Sequence, residues 1–292
     1  MVFDHILAAT DFSGESTAGA LVAAALAKRL AAKLSFMHVA TDVPAAPDGR
    51  TSADELRLAG ATAELEALVK LARDSFGAQA ESFVVCDAVP ADAIVAAAVK
   101  YGADLVCTGA HGRGGLSGLL MGSVAERVLR QAPCAVLTTR QTEPPTSVDG
   151  LLGLVVCGTD FSEPSRRALV TAAELARAFD AELTVAHVTD PTVPTASRGS
   201  LVSLDDREAE LNRELAELCR AVLGEGGYKT RLLVGANAAA TLCDYARDMG
   251  ASLVVISTHG RTGLARLLIG SVAEKVVKAS SVPALTLRPL RR

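Results

Sequence analysis

Two periods of apolar residues alternate along the chain. Residues 3–10, 33–39, 80–87, 103–109 and 134–139 are short runs that stay apolar nearly throughout, which predicts strands covered on both faces. Between them, 15–33, 53–76, a stretch opening at Pro90 and about 122–131 carry the wider spacing of helices. The same order returns in the second half. Strands separated by helices predict parallel sheets with right-handed crossovers, so each half reads as a doubly wound α/β domain.

The return is an internal repeat. "ILAATDFSGES" at 6–16 matches "LVVCGTDFSEPS" at 154–165, and an offset of 149 pairs Asp11 with Asp160 and His38 with His187. "GADLVCTGAHGR" at 102–113 matches "GASLVVISTHGR" at 250–261 at an offset of 148. A chain of 292 residues is about twice the usual domain size, which fits a duplicated unit. The expected division is a first domain at 1–140, a linker at 141–150 rich in Pro, Ser and Thr, and a second domain at 151–292.

Composition removes several classes. Half the residues are apolar and mean hydropathy is +0.31, yet no run approaches the roughly 20 apolar residues of a spanning helix, so no membrane segment is expected. Asp4 and His5 interrupt the start, no secretory signal is read, and a cytoplasmic location is expected. Six cysteines form no CxxC and fall within apolar patterns, as buried hydrophobes do. A net charge of -4 with 3% aromatic residues lacks the footprint of a nucleic-acid binder.

Candidate chemistry gathers at strand ends, where ligands bind in doubly wound sheets. Thr10–Asp11 follows the first strand, His38–Val39 the second, and "TGAHGRGGLSGLLMGSV" at 108–124 the fourth. Gly109 and Gly112 let the main chain turn sharply and approach a ligand without a Cβ. Gly122 and Ser123 open a helix whose free N–H groups suit an anion, with Ser123 placed to cap it and to offer a hydroxyl to phosphate. The plainer alternative is that the glycines only shape a loop, Ser123 only caps and Asp11 only holds a turn. His38, His187, His111 and His259 read as loop-shaping hydrogen-bonders, and Arg113 and Arg261 as solvated loop residues. The loops 41–52 and 189–203 are long enough to be lids. Ser117 spoils G-x-G-x-x-G, and neither G-x-x-x-x-G-K-[S/T] nor G-x-S-x-G occurs, which disfavours dinucleotide dehydrogenases, P-loop triphosphatases and serine hydrolases.

The spacing Gly109-x2-Gly112-x9-Gly122-Ser123, with Asp11 and Val39 at their strand ends, closely resembles the ATP-binding signature of the universal stress protein family, in tandem form. The resemblance implies five parallel strands per domain in the order 3-2-1-4-5, ATP with magnesium as ligand, and pairing through last strands, within the chain or in a homodimer. It implies a site of Thr10, Asp11, Val39, Gly109, His111, Gly112, Gly122, Ser123 and Val124 in the first copy. In the second copy it implies Thr159, Asp160, Val188, His259, Gly260, Gly270, Ser271 and Val272, with Ser257 where the first glycine belongs. A side chain there would narrow the site, or strain the turn if the glycine uses a backbone conformation closed to other residues. The function implied is regulatory ATP binding in stress adaptation. Slow ATP hydrolysis, self-phosphorylation and a nucleotide-free scaffold or small-molecule or metal sensor are the alternatives.

Overall fold

The computed structural model describes residues 2–112, 121–149, 151–192, 206–259 and 269–288, with backbone alone at 196–197, 200–201 and 204–205. The chain divides into two compact units, Met1–Leu151 and Leu152–Arg292.

In unit 1 the elements run β1 (His5–Ala9), α1 (Gly14–Leu30), β2 (Lys33–Ala40), a 3-10 turn (Pro47–Gly49), α2 (Ser52–Phe76), β3 (Glu81–Cys86), α3 (Pro90–Tyr101), β4 (Leu105–Gly109), α4 (Ser123–Gln131) and β5 (Ala135–Thr139). Its five strands lie in the order β5-β4-β1-β2-β3, all parallel, with Ile6 facing Leu34 on one side and Leu105 on the other. This is the predicted 3-2-1-4-5 sheet. Its centre is fully buried: Ile6, Leu7, Phe36 and Leu105 have no exposed area, and burying each such side chain is worth about 1.5–3 kcal/mol. The edge strand β3 is only half-buried despite its apolar sequence, since among the described residues no further strand covers its outer side.

Local signals set the helix bounds. Ser13 caps α1, and α1 is lined with alanines small enough to bury it almost all round. It stops at Leu30, short of the predicted 33, because Ala31 turns left-handed (φ 54°), a stop that no glycine announces. Thr51 and Asp54 form a capping box on α2, and the Thr51 N–H and hydroxyl hold the Asp54 carboxyl below its ordinary range.

Unit 2 repeats the plan: β6 (Leu154–Gly158), α5 (Glu163–Phe179), β7 (Glu182–Thr189), β8 (Ala196–Ser197), β9 (Ser200–Leu201), α6 (Leu204–Leu223), β10 (Lys229–Val234), α7 (Ala238–Asp248), β11 (Leu253–Ser257), α8 (Ser271–Ala279) and β12 (Ala284–Leu287). The order is β10-β7-β6-β11-β12, again parallel throughout. The short antiparallel pair β8–β9 falls inside 189–203, which the sequence reading treated as loop. Among the described residues, no helix is long and apolar enough to cross a membrane.

Candidate nucleotide site

The turn from β1 into α1 is built from short side chains that bond to one another. Thr10 Oγ1 accepts from the Phe12 N–H at 2.9 Å and meets Ser16 Oγ at 3.0 Å. Asp11 Oδ1 accepts from the Ser13 N–H at 3.1 Å and from the Ser13 and Ser16 hydroxyls at 2.6 and 2.7 Å. Phe12 holds φ 63°, a conformation costly for a bulky residue, by about 1–3 kcal/mol. His38 offsets that cost: its ring stacks on Phe12 at 4.5 Å while Nδ1 donates to the Thr10 carbonyl at 2.8 Å. Asp11 thus does hold a turn, and His38 is a shaping residue.

Across from this turn runs the glycine loop. None of Gly109, Gly112 and Gly122 takes a positive φ; what each lacks is room for a Cβ. A Cβ on Gly109 would lie 2.8 Å from the Ser16 backbone nitrogen, and one on Gly112 2.6 Å from Asp11 Oδ2. The sharp turn expected of Gly109 and Gly112 is therefore not a left-handed one. They admit the N-terminus of α1 and the Asp11 carboxylate against the loop. Glu15, in the first turn of α1, then ties the loop down: its carboxylate accepts from the His111 N–H at 2.8 Å and meets His111 Nδ1 at 3.1 Å, both side chains being largely buried. The expected cap by Ser123 is corrected too. Gly122 is the N-cap of α4, its own N–H donates to the Ala110 carbonyl at 2.8 Å, and among the described residues no side chain caps the helix.

Turn, loop and helix end enclose a cleft of about 840 Å³. Thr10 and Asp11 line one side and Val39 borders it at the end of β2. Gly109, His111 and Gly112 line the loop side, with Gly122, Ser123 and Val124 at the head of α4. Every site residue predicted for the first copy therefore borders one space, while Arg113 lies outside the described residues. Its floor is formed by Ala9, Ile94 and Thr108. The wall that sequence reading missed comes from α2, where Arg57, Gly60, Ala61 and Glu64 line the cleft; Thr41, Asp42 and Val43 also line it, from the 41–52 loop read as long enough for a lid. The signal was the i, i+3, i+4, i+7 spacing of those four residues, two of them small, on a helix whose first half buries only Asp54.

Unit 2 reproduces the turn nearly atom for atom. Thr159 Oγ1 accepts from the Phe161 N–H at 3.1 Å, Asp160 Oδ1 from the Ser162 hydroxyl at 2.5 Å, Phe161 holds φ 67°, and His187 Nδ1 donates to the Thr159 carbonyl at 2.8 Å. The loop differs. Pro164 stands where unit 1 has Glu15, and the missing carboxylate is replaced by local hydroxyls: Ser257 Oγ donates to the His259 carbonyl at 2.9 Å, and Thr258 Oγ1 meets His259 Nδ1 at 2.9 Å. Ser257 does not take a positive φ, so the turn carries no backbone strain. Burial, reinforced by the Arg288 charge, holds the His259 imidazole below its ordinary pKa. Thr159, Asp160, Val188, His259, Gly270, Ser271 and Val272 border a hollow of about 220 Å³, while Gly260 and Arg261 lie outside the described residues.

Other candidates resolve simply. Burial pushes the Cys219 and Cys243 thiols up to about 11 and those of Cys107 and Cys157 higher still, as for inert core thiols. Among the described residues, no group of three His, Cys, Asp or Glu converges to hold a metal.

Comparison with known proteins agrees with this architecture. The sequence profile described as the universal stress protein family matches residues 3–140 and again 154–288. A universal stress protein of Mycobacterium tuberculosis is 30% identical over 229 residues, 75% of this chain and 74% of its own length. Another, from Methanocaldococcus jannaschii, is 33% identical over 144 residues, 48% of this chain and 84% of its own. The crystal structure of a universal stress protein from Archaeoglobus fulgidus superposes with a TM-score of 0.70 at 19% identity, covering 97% of this chain and 98% of that one, a likeness of fold. The chain belongs to the universal stress protein family, with two of its domains in tandem, and membership supports a role in stress response.

Proposed function

We propose that unit 1 binds an adenine nucleotide, ATP with magnesium, and that this binding is regulatory. One observation carries the reading: a single cleft is lined by the α4 N-terminus, which no side chain among the described residues caps, by the Gly109–Gly112 main chain and by the Asp11 carboxylate beside Gly112. The helix end, worth about half a positive charge, suits phosphate. A carboxylate suits the hydroxyl donors of a ribose and repels phosphate, which orients the nucleotide with its sugar toward Asp11. The volume falls within the roughly 300–1,000 Å³ of small-molecule sites. Magnesium takes phosphate oxygens and water first, so the protein needs no dedicated cage for it.

The test is thermal unfolding of nucleotide-stripped protein with and without Mg·ATP. At a hundredfold excess over Kd, binding stabilises by about 2.7 kcal/mol. The rise in Tm is expected to vanish in Gly122→Glu, whose new carboxylate sits at the head of α4, and to persist in Gly270→Glu. No rise in the parent contradicts the proposal. Phosphate release and label incorporation in the same samples report hydrolysis and self-phosphorylation.

A further inference from the structure

Resting on the nucleotide reading of unit 1, we infer that unit 2 is closed to nucleotide from its floor, and that Leu242 is the specificity-determining residue that closes it. The rim of the second hollow keeps Asp160, Val188, Gly270 and Ser271 in place, and Ser257 is the one described motif position that departs. Two linings have changed: the α2 wall of Arg57, Gly60, Ala61 and Glu64 has no counterpart among the described residues lining the second hollow, and the floor is different. Where unit 1 has Ala9, Ile94 and Thr108, unit 2 has Gly158, Leu242 and Ile256.

Two of these exchanges are coupled. A Cβ placed on Gly158 would lie 2.7 Å from Leu242 Cδ2 and 3.8 Å from Ile256 Cδ1. The leucine tip therefore lies in the space that the Ala9 methyl fills in unit 1, and an alanine at the end of β6 would displace it. Ile256 adds apolar bulk where Thr108 turns its hydroxyl onto the Gly109 carbonyl at 2.6 Å. Ser257, with its hydroxyl turned onto the His259 carbonyl, narrows the hollow from the loop side. The remaining space of about 220 Å³ falls below the roughly 300–1,000 Å³ of drug-sized ligand sites, whereas unit 1 lies well inside that range. A rim shaped for nucleotide over a floor raised by leucine is a site whose entrance remains and whose depth is gone.

The experiment exchanges the floors and counts sites per chain by titration calorimetry of nucleotide-stripped, full-length protein with Mg·ATP. The parent is expected to show one site, lost in Gly122→Glu. Ala9→Gly/Ile94→Leu/Thr108→Ile, which carries the second floor into unit 1, is expected to weaken that site at least tenfold. Gly158→Ala/Leu242→Ile/Ile256→Thr in the Gly122→Glu background is expected to gain a site, with circular dichroism confirming the fold and Leu242→Ala alone replacing any exchange that fails to fold. Two sites in the parent overturn the closure and leave the nucleotide reading of unit 1 standing. No site in the parent overturns both. A folded floor exchange that moves neither affinity nor site number overturns the assignment to Leu242.

Discussion

The turn after the first strand and the glycine loop face each other across each cleft, yet they have fared differently in the two copies. The turn is closely similar in both units, with a left-handed phenylalanine, a histidine ring against it (stacked in unit 1, tilted in unit 2) and a threonine that accepts its N–H. The loop is rewired: Glu15 anchors His111 in unit 1, while Ser257 and Thr258 anchor His259 in unit 2 beside Pro164. The difference shows which parts are separable. Phe12 at φ 63° is tolerable only with its stack and hydrogen bonds in place, so no member of the turn changes alone. The loop needs only to be tied down, and any acceptor and donor within reach serve.

This comparison is sharpened most by truncating the two floors. Leu242→Ala is expected to destabilise unit 2 by about 2–5 kcal/mol, and Ile94→Ala to cost unit 1 less, because Ile94 already borders an open cleft. Segment-resolved hydrogen exchange of α7 and α3 measures both; an equal cost would break the distinction between a filled floor and an open one. Next in size is the first loop position. Gly109→Ala sets a Cβ against the Ser16 backbone and is expected to cost unit 1 about 1–3 kcal/mol. Ser257→Ala leaves a loop carbonyl short of one donor and is expected to cost unit 2 about 1 kcal/mol in urea unfolding.

Glu15→Ala is expected to cost about 1–2 kcal/mol by stranding the His111 N–H, with faster exchange at residues 110–112 as the readout. The smallest effect is on pH. Because the His259 imidazole is held below its ordinary value, folded unit 2 binds fewer protons there than the unfolded chain does. Its contribution is complete above the unfolded pKa of about 6.5 and is lost as pH falls through the lower folded value. His259→Gln is expected to flatten that decline in unit 2 stability, and an unchanged slope would show that other groups cause it.

Much of this molecule was legible in its sequence because its signals are local. Pro90 opens α3, Gly77 and Gly102 end their helices, and apolar runs mark every sheet strand to within a few residues. The copy-to-copy offset alone places the site residues at strand ends. What was not legible depends on partners distant in sequence. Glu15 meets His111 across 96 positions, and the α2 wall borders the cleft through the packing of α2 on β2 and β3. The steric reason for Gly109 and Gly112 belongs to the same class, since it lies in the β1–α1 turn. Ala31 and Asp180 turn left-handed with no glycine to announce it, so the end of α1 was misjudged by a few residues. The size of each cleft depends on floor residues whose sequence differences are ordinary apolar exchanges.

The most direct test of the central claim, one nucleotide site in a chain with two inherited rims, is hydrogen exchange with and without Mg·ATP. The account predicts that ATP slows exchange at residues 108–112 and in the first turn of α4, with residues 256–259 and the first turn of α8 unchanged. Equal slowing in both units, or slowing in unit 2 alone, would contradict it.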